Sequence, residues 1–168
     1  MADIRKKADF RSLIRALHYR NYRLYFIGQG ISLIGTWMQR VAVGWLVYRL
    51  TDSPLLLGIV GFAGQIPAFL LAPFAGVLAD RWDRRRILIL TQCLSMIQAG
   101  ILAALVLTET VMIWEVIALS AMLGLINAFD MPVRQAFTVE MIDDRKDLGN
   151  AIALNSSMVN AARMLGPS

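Results

Sequence analysis

Apolar residues run through this chain in long blocks, and charged residues gather in the short stretches between them. The blocks cover about residues 25–48, 54–79, 87–107 and 111–129, and a fifth, partial one covers residues 148–168. A helix of roughly 18 or more apolar residues can cross the ~30 Å hydrocarbon core of a bilayer. The pattern predicts an all-α membrane protein with four complete transmembrane helices and the start of a fifth. Helices in a soluble core seldom stay apolar beyond about 20 residues, and here the feature repeats.

Residues 1–23 are too charged to span. Phe10, Leu13, Ile14 and Leu17 recur at helical spacing with Arg11, Arg15 and Arg20 between them. That spacing suits a short amphipathic helix on the inner leaflet, with a partly disordered tail as the alternative. No short apolar region with a small-residue cleavage site follows, so the segment does not read as a signal peptide. Residues 24–168 make up the transmembrane part.

Composition agrees: 57 % of residues are hydrophobic and 17 % are charged. The formal net charge of +5 raises the question of nucleic acid, which the placement of the charges answers. Arg5, Lys6, Lys7, Arg11, Arg15, Arg20 and Arg23 precede the first block. Arg81, Arg84, Arg85 and Arg86 lie between the second and third, and Arg134, Arg145 and Lys146 follow the fourth. On the opposite side only Arg49 appears. This is the positive-inside distribution of an integral membrane protein with a cytoplasmic N-terminus, and it forms no continuous basic stripe for a nucleic-acid partner.

The polar residues inside the blocks are few. Gly28, Ser32, Thr36 and Arg40 step by four along the first, with Gly35 and Gln39 beside them, giving a slowly rotating polar strip that faces helices or an aqueous cavity rather than lipid. Arg40 lies eight residues before Tyr48, roughly 12 Å below that end of the helix. It reads either as a cavity cation that meets an anionic substrate or a carboxylate, or as a side chain that snorkels to the interface. Gln65 has two readings of its own, a cavity contact or a packing residue. Ser53 and Pro54 mark a helix start, and Gly64, Ala68, Ala72 and Gly76 form a small-residue ladder that admits a neighbouring backbone. Gln92, Ser95 and Gln98 are the polar positions of the third block, whose role reads as mainly structural. Glu115 stands close enough to the outer interface to stay hydrated. Asp130, Pro132 and Arg134 are expected to end the fourth helix, and Asp147 to cap the fifth near Leu148, where Ser156, Asn160 and Arg163 share a face.

Catalytic chemistry lacks parts. His18 is the single histidine and Cys93 the single cysteine, and the glycines are spaced for packing rather than gathered into a phosphate loop. The expectation is a protein that is not an enzyme and has no cofactor or metal.

The hairpin from Gly76 to Arg86, G-V-L-A-D-R-W-D-R-R-R, separates the second and third blocks. Asp80 ends a helix whose last carbonyls already carry partial negative charge, so a cation should compensate it; Arg134, Arg81 and Arg85 are candidates. The spacing of Gly76, Asp80, Arg81, Arg85 and Arg86 resembles motif A of the major facilitator superfamily, although Asp83 stands where that pattern usually has glycine. G-T-W-M-Q-R at Gly35–Arg40, D-M-P-V-R-Q-A at Asp130–Ala136 and A-R-M-L-G-P at Ala162–Pro167 follow in order. Together they resemble the drug and siderophore exporter branch, similar to the enterobactin exporter, over about residues 10–168.

The resemblance implies a secondary transporter, a proton-coupled exporter of drugs or siderophore-like small molecules in the bacterial inner membrane. It implies gating by Gly76, Asp80, Arg81, Arg85, Arg86 and Arg134, a substrate and coupling cavity at Arg40, Gln39, Thr36, Gln65, Asn160 and Arg163, and a fifth-helix motif at Gly166 and Pro167. Such transporters rock two halves of six helices each. The expectation is therefore an N-terminal fragment, an incomplete transmembrane bundle whose partners are membrane lipid, a small-molecule substrate and a missing C-terminal part, and which does not transport alone. The alternative is a non-transporting helical scaffold or a channel-forming oligomer, for which the hairpin and Ala162–Pro167 have no physical need.

Overall fold

The computed structural model describes residues 15–142 and 145–166. After a 3-10 turn at Arg15–His18, the described residues form five α-helices and no strand: α1 (Arg20–Thr51), α2 (Pro54–Arg81), α3 (Arg84–Leu107), α4 (Ile113–Glu140) and α5 (Arg145–Leu165). The amphipathic helix expected through Phe10, Leu13 and Ile14 lies outside the described residues.

The helix ends follow local chemistry. Ser53 Oγ accepts a hydrogen bond from the Leu56 amide at 3.4 Å, and Pro54 occupies the first helical position of α2, where its missing N–H costs nothing. Between α1 and α2, Asp52 takes a positive φ of 46° and donates its amide to the Tyr48 carbonyl. The end of α3 has a Schellman arrangement: Glu109, at φ 57°, donates its amide to Val106, and Thr110 donates to Leu105. Glu115 accepts the Met112 amide at 2.9 Å, which gives this carboxylate a capping task at the start of α4.

Two expectations are corrected. Helix α4 does not stop at Asp130–Pro132 but continues to Glu140 with Pro132 inside it. A proline in a helix interior costs about 3 kcal/mol through one lost hydrogen bond and a steric clash. Here the turn around it is held by packing and by an ion pair: Val133 is buried, and Asp130 pairs with Arg134 four residues on. Asp147 does not cap α5. The helix begins at Arg145 and places Asp147 in its first turn, still near the positive end of the dipole, where it accepts from Tyr19 Oη at 3.4 Å.

Three of the helices contain stretches long and apolar enough to cross a membrane, Pro54–Leu71, Arg84–Leu107 and Ile113–Glu140. Helix α1, with 32 residues, reaches about 48 Å at 1.5 Å per residue, but its Gly, Ser, Thr, Gln and Arg strip dilutes its apolar content. Large apolar side chains face outward, Phe69 at 80 % exposure and Phe74 at 69 %. Such surfaces are favourable in hydrocarbon rather than in water.

Contacts divide the chain into two compact units, residues 1–38 with 138–168, and residues 39–137. In the first, Tyr22 is fully buried with Ala16, Ile142 and Ala151, and its hydroxyl donates to the Ala151 carbonyl at 3.0 Å. Burial, with Tyr25 beside it, pushes the Tyr22 hydroxyl up to about 12, so it remains a donor. Farther along the same helices, Leu33 packs with Met158 and Ala162. In the second unit, Val47, Val60, Leu102 and Val116 form a core from α1, α2, α3 and α4.

In the second unit α2 and α4 approach closely at a pair of glycines. A Cβ added at Gly124 would stand 2.3 Å from the Gly64 carbonyl oxygen and 3.2 Å from Pro67 Cδ. The requirement for glycine thus lies at Gly124; on the small-residue ladder of α2, a Cβ at Gly64 would meet Ser120 at an ordinary 3.6 Å and one at Gly76 would meet no atom within 4 Å. Gly124→Ala is expected to destabilise the protein by about 2 kcal/mol, because two backbones must separate. Gly58→Ala, at a site open to 4 Å, should be neutral or mildly stabilising. Unfolding in mixed detergent micelles measures both, and equal effects would show that the contact does not set the helix distance.

Candidate functional site

Within the second unit, α1, α2, α3 and α4 enclose a groove of about 290 Å³. Three residues expected at a cavity line it, Gln39 and Arg40 from α1 and Gln65 from α2. Four glycines, Gly44, Gly61, Gly64 and Gly124, also line it, so much of its wall is backbone rather than side chain. Gln98, 1 % exposed on α3, organises the polar side: it accepts from Gln39 Nε2 at 2.9 Å and donates to the Leu119 carbonyl at 3.1 Å. A buried amide in an apolar setting is costly unless both its ends are bonded, and here both are.

The other three expected cavity residues belong to the first unit. Thr36 Oγ1 donates back to the Ser32 carbonyl at 2.9 Å, and Asn160 Nδ2 to the Ser156 carbonyl at 2.9 Å. The Arg163 guanidinium lies 5.4 Å from the Trp37 ring centroid, a cation–π contact. Gly166 explains its own identity: a Cβ there would stand 2.5 Å from Trp37 Cβ and 3.0 Å from the Ala162 carbonyl oxygen. Pro167 lies outside the described residues.

At the hairpin, Arg81 ends α2, and Arg85 and Arg86 lie in the first turn of α3; all three are exposed. The Asp80 side chain is outside the described residues. Asp83, the departure from the motif pattern, caps α3: its carboxylate accepts the Arg86 amide at 3.2 Å and lies 3.6 Å from Arg86 Nε. Three arginines at a positive helix end are unfavourable, and a carboxylate cap offsets part of that.

Sequence reading missed a buried polar cluster beside this hairpin. Asp130, 2 % exposed, accepts from Thr91 Oγ1 at 2.8 Å and Gln92 Nε2 at 3.4 Å, and pairs with Arg134 through its other oxygen. It ties α3 to α4 and places the expected gating residue Arg134 on a carboxylate of its own helix. One signal was present: Thr91, Ser95 and Gln98 recur on one face of α3, marking the side turned away from lipid.

A family model described as transmembrane secretion effector matches residues 12–168. A staphyloferrin A transporter of Staphylococcus aureus is 29 % identical over 87 % of this chain and 37 % of its own length. An uncharacterized MFS-type transporter of Bacillus subtilis, YfiS, is 24 % identical over 83 % of this chain and 32 % of its own. Macrolide efflux protein A of Streptococcus pyogenes is 23 % identical over 89 % of this chain and 38 % of its own. The chain thus spans about a third of the length of these curated relatives. No solved structure matches it.

Removing one partner of a buried ion pair strands the other, so Asp130→Ala is expected to cost about 3 kcal/mol. Asp130→Asn keeps an acceptor for Thr91 and should cost less. Adding Arg134→Met to Asp130→Ala should recover part of the loss, as measured in a double-mutant unfolding cycle. Strict additivity would mean the pair is not coupled.

Proposed function

This chain belongs to the transmembrane secretion effector family of the major facilitator superfamily, and from that membership we propose that it works as part of a proton-coupled exporter of small molecules in the bacterial inner membrane. The observation that carries the reading is the groove of the second unit, where Arg40 and the Gln39–Gln98 amide chain stand among helices whose outer faces are apolar. A polar lining at this position is expensive in hydrocarbon and is retained where solute passes. The relatives described as a staphyloferrin A transporter and a macrolide efflux protein support a substrate of drug or siderophore type.

In this reading α1 also crosses the membrane, with its polar strip turned to the groove, and the N-terminus is cytoplasmic. Gly76, Asp80, Arg81, Arg85, Arg86 and Arg134 gate the cytoplasmic side, where Asp130 holds Arg134 and Asp83 secures the first turn of α3. Because the chain spans about a third of its relatives, transport is performed with further helices, whose faces complete the pathway.

Two measurements test this. With Cys93 replaced by serine, a cysteine at Arg85 should react only with cytoplasmic reagents and one at Glu109 only with external ones; the reverse pattern would overturn the orientation. In liposomes, this chain alone should give no gradient-driven efflux of macrolide or siderophore, while a full-length protein carrying the sequence should. Efflux by the chain alone would overturn the need for partner helices, and no efflux by the full-length protein would overturn the transport reading.

A further inference from the structure

We infer that the outer groove between the hairpin ends of α3 and α4 holds an anionic phospholipid, with an acyl chain along the groove and the phosphate on Arg86. The inference goes beyond the transport reading and rests only on a helical bundle set in a membrane. This groove, about 690 Å³, lies within the second unit and shares no lining residue with the one described above. Its walls are apolar: Ile87, Leu90 and Leu94 recur on one face of α3, opposite Leu125, Ile126 and Phe129 of α4. Thr91 is polar, but its hydroxyl is already engaged by the Leu88 carbonyl and by Asp130. Charge enters the lining at one end, where Asp83 and Arg86 lie beside Trp82, a side chain 61 % exposed.

Length and charge decide the occupant. From Ile87 to Leu94 the wall extends about 10 Å, which is most of one ~15 Å leaflet. A spanning helix needs a seam through the full ~30 Å, whereas an acyl chain needs only its own leaflet. The charged end marks the water boundary, because the hairpin arginines are too costly in hydrocarbon and an indole favours that boundary. Residues 76–86 carry four arginines against two aspartates, a net charge of +2, so one arginine engaged elsewhere still leaves the hairpin positive. Both oxygens of Asp83 are occupied, one accepting the Arg86 amide and the other facing Arg86 Nε at 3.6 Å. That ion pair is largely in solvent, with the Arg86 side chain 88 % exposed, so it holds the guanidinium weakly. With five N–H donors, Arg86 can take a phosphate as well as its aspartate.

Native mass spectrometry tests the assignment on the purified chain and on a full-length protein carrying it, each in micelles with equal amounts of phosphatidylglycerol and phosphatidylcholine of the same chains. Phosphatidylglycerol should be retained about fivefold over phosphatidylcholine in both proteins. Arg86→Gln should bring the two lipids level, and Arg86→Lys should keep part of the preference. Leu125→Trp, which fills the groove from an exposed position, should lower retention of both lipids. If that variant disturbs the bundle, Leu90→Trp on the facing wall takes its place. Glycerol phosphate, a headgroup without chains, should not displace the lipid. A preference that survives Arg86→Gln, retention indifferent to both groove variants, or displacement by glycerol phosphate would overturn the inference. So would loss of retention in the full-length protein, which would show that a further helix covers the groove. The measurement uses no ion gradient, so its failure leaves the transport reading standing, and failed efflux leaves the lipid site.

Discussion

The second unit depends on one buried amide. Gln98 sits in a helix of Leu, Ile, Ala and Val, and its two ends bind α1 through Gln39 and α4 through the Leu119 carbonyl. Where no water reaches, an unbonded amide costs several times what a bonded one contributes, so these partners are effectively obligatory. One side chain thereby fixes the rotation of three helices about their axes. Apolar packing alone, as among Val47, Val60, Leu102 and Val116, sets spacing but is far more tolerant of rotation.

A second polar lock works at the other end of α3. Asp130 gathers Thr91, Gln92 and Arg134, so the turn of α4 that contains Pro132 is fastened to α3 where its own hydrogen-bond ladder is weakest. Asp83 does comparable work at the first turn of α3, against three neighbouring arginines. These charges carry a local energetic cost at the helix ends, and the carboxylates near them offset part of it.

The long elements were legible in the sequence, because apolar run length is a signal that tertiary context seldom overrides in a bilayer. The Ser53–Pro54 start was legible too, since its chemistry is confined to four consecutive residues. Expectations failed where a local rule met a distant partner. Pro132 alone argues for a stop, but Asp130, Val133 and Arg134 carry the helix past it. Asp147 resembles a cap by type, yet its position in the first turn brings it to Tyr19, 128 residues away in sequence. For the candidate site, run length singled out Arg40, Gln39 and Gln65 as misfits among apolar neighbours. It could not reveal that Gln98 joins Gln39, or that Arg163 on α5 lies over Trp37 on α1, because pairing between helices leaves no periodic trace.

The Gly64–Gly124 contact has a consequence for how such a groove changes over generations. Both glycines also line the groove, so part of its wall is the close approach of two backbones rather than the bulk of side chains. Enlarging Gly124 would push α2 from α4, whereas a methyl group at Gly64 would meet Ser120 only at ordinary contact distance. A single methyl group at position 124 would therefore reshape the groove through helix spacing rather than through the bulk it adds.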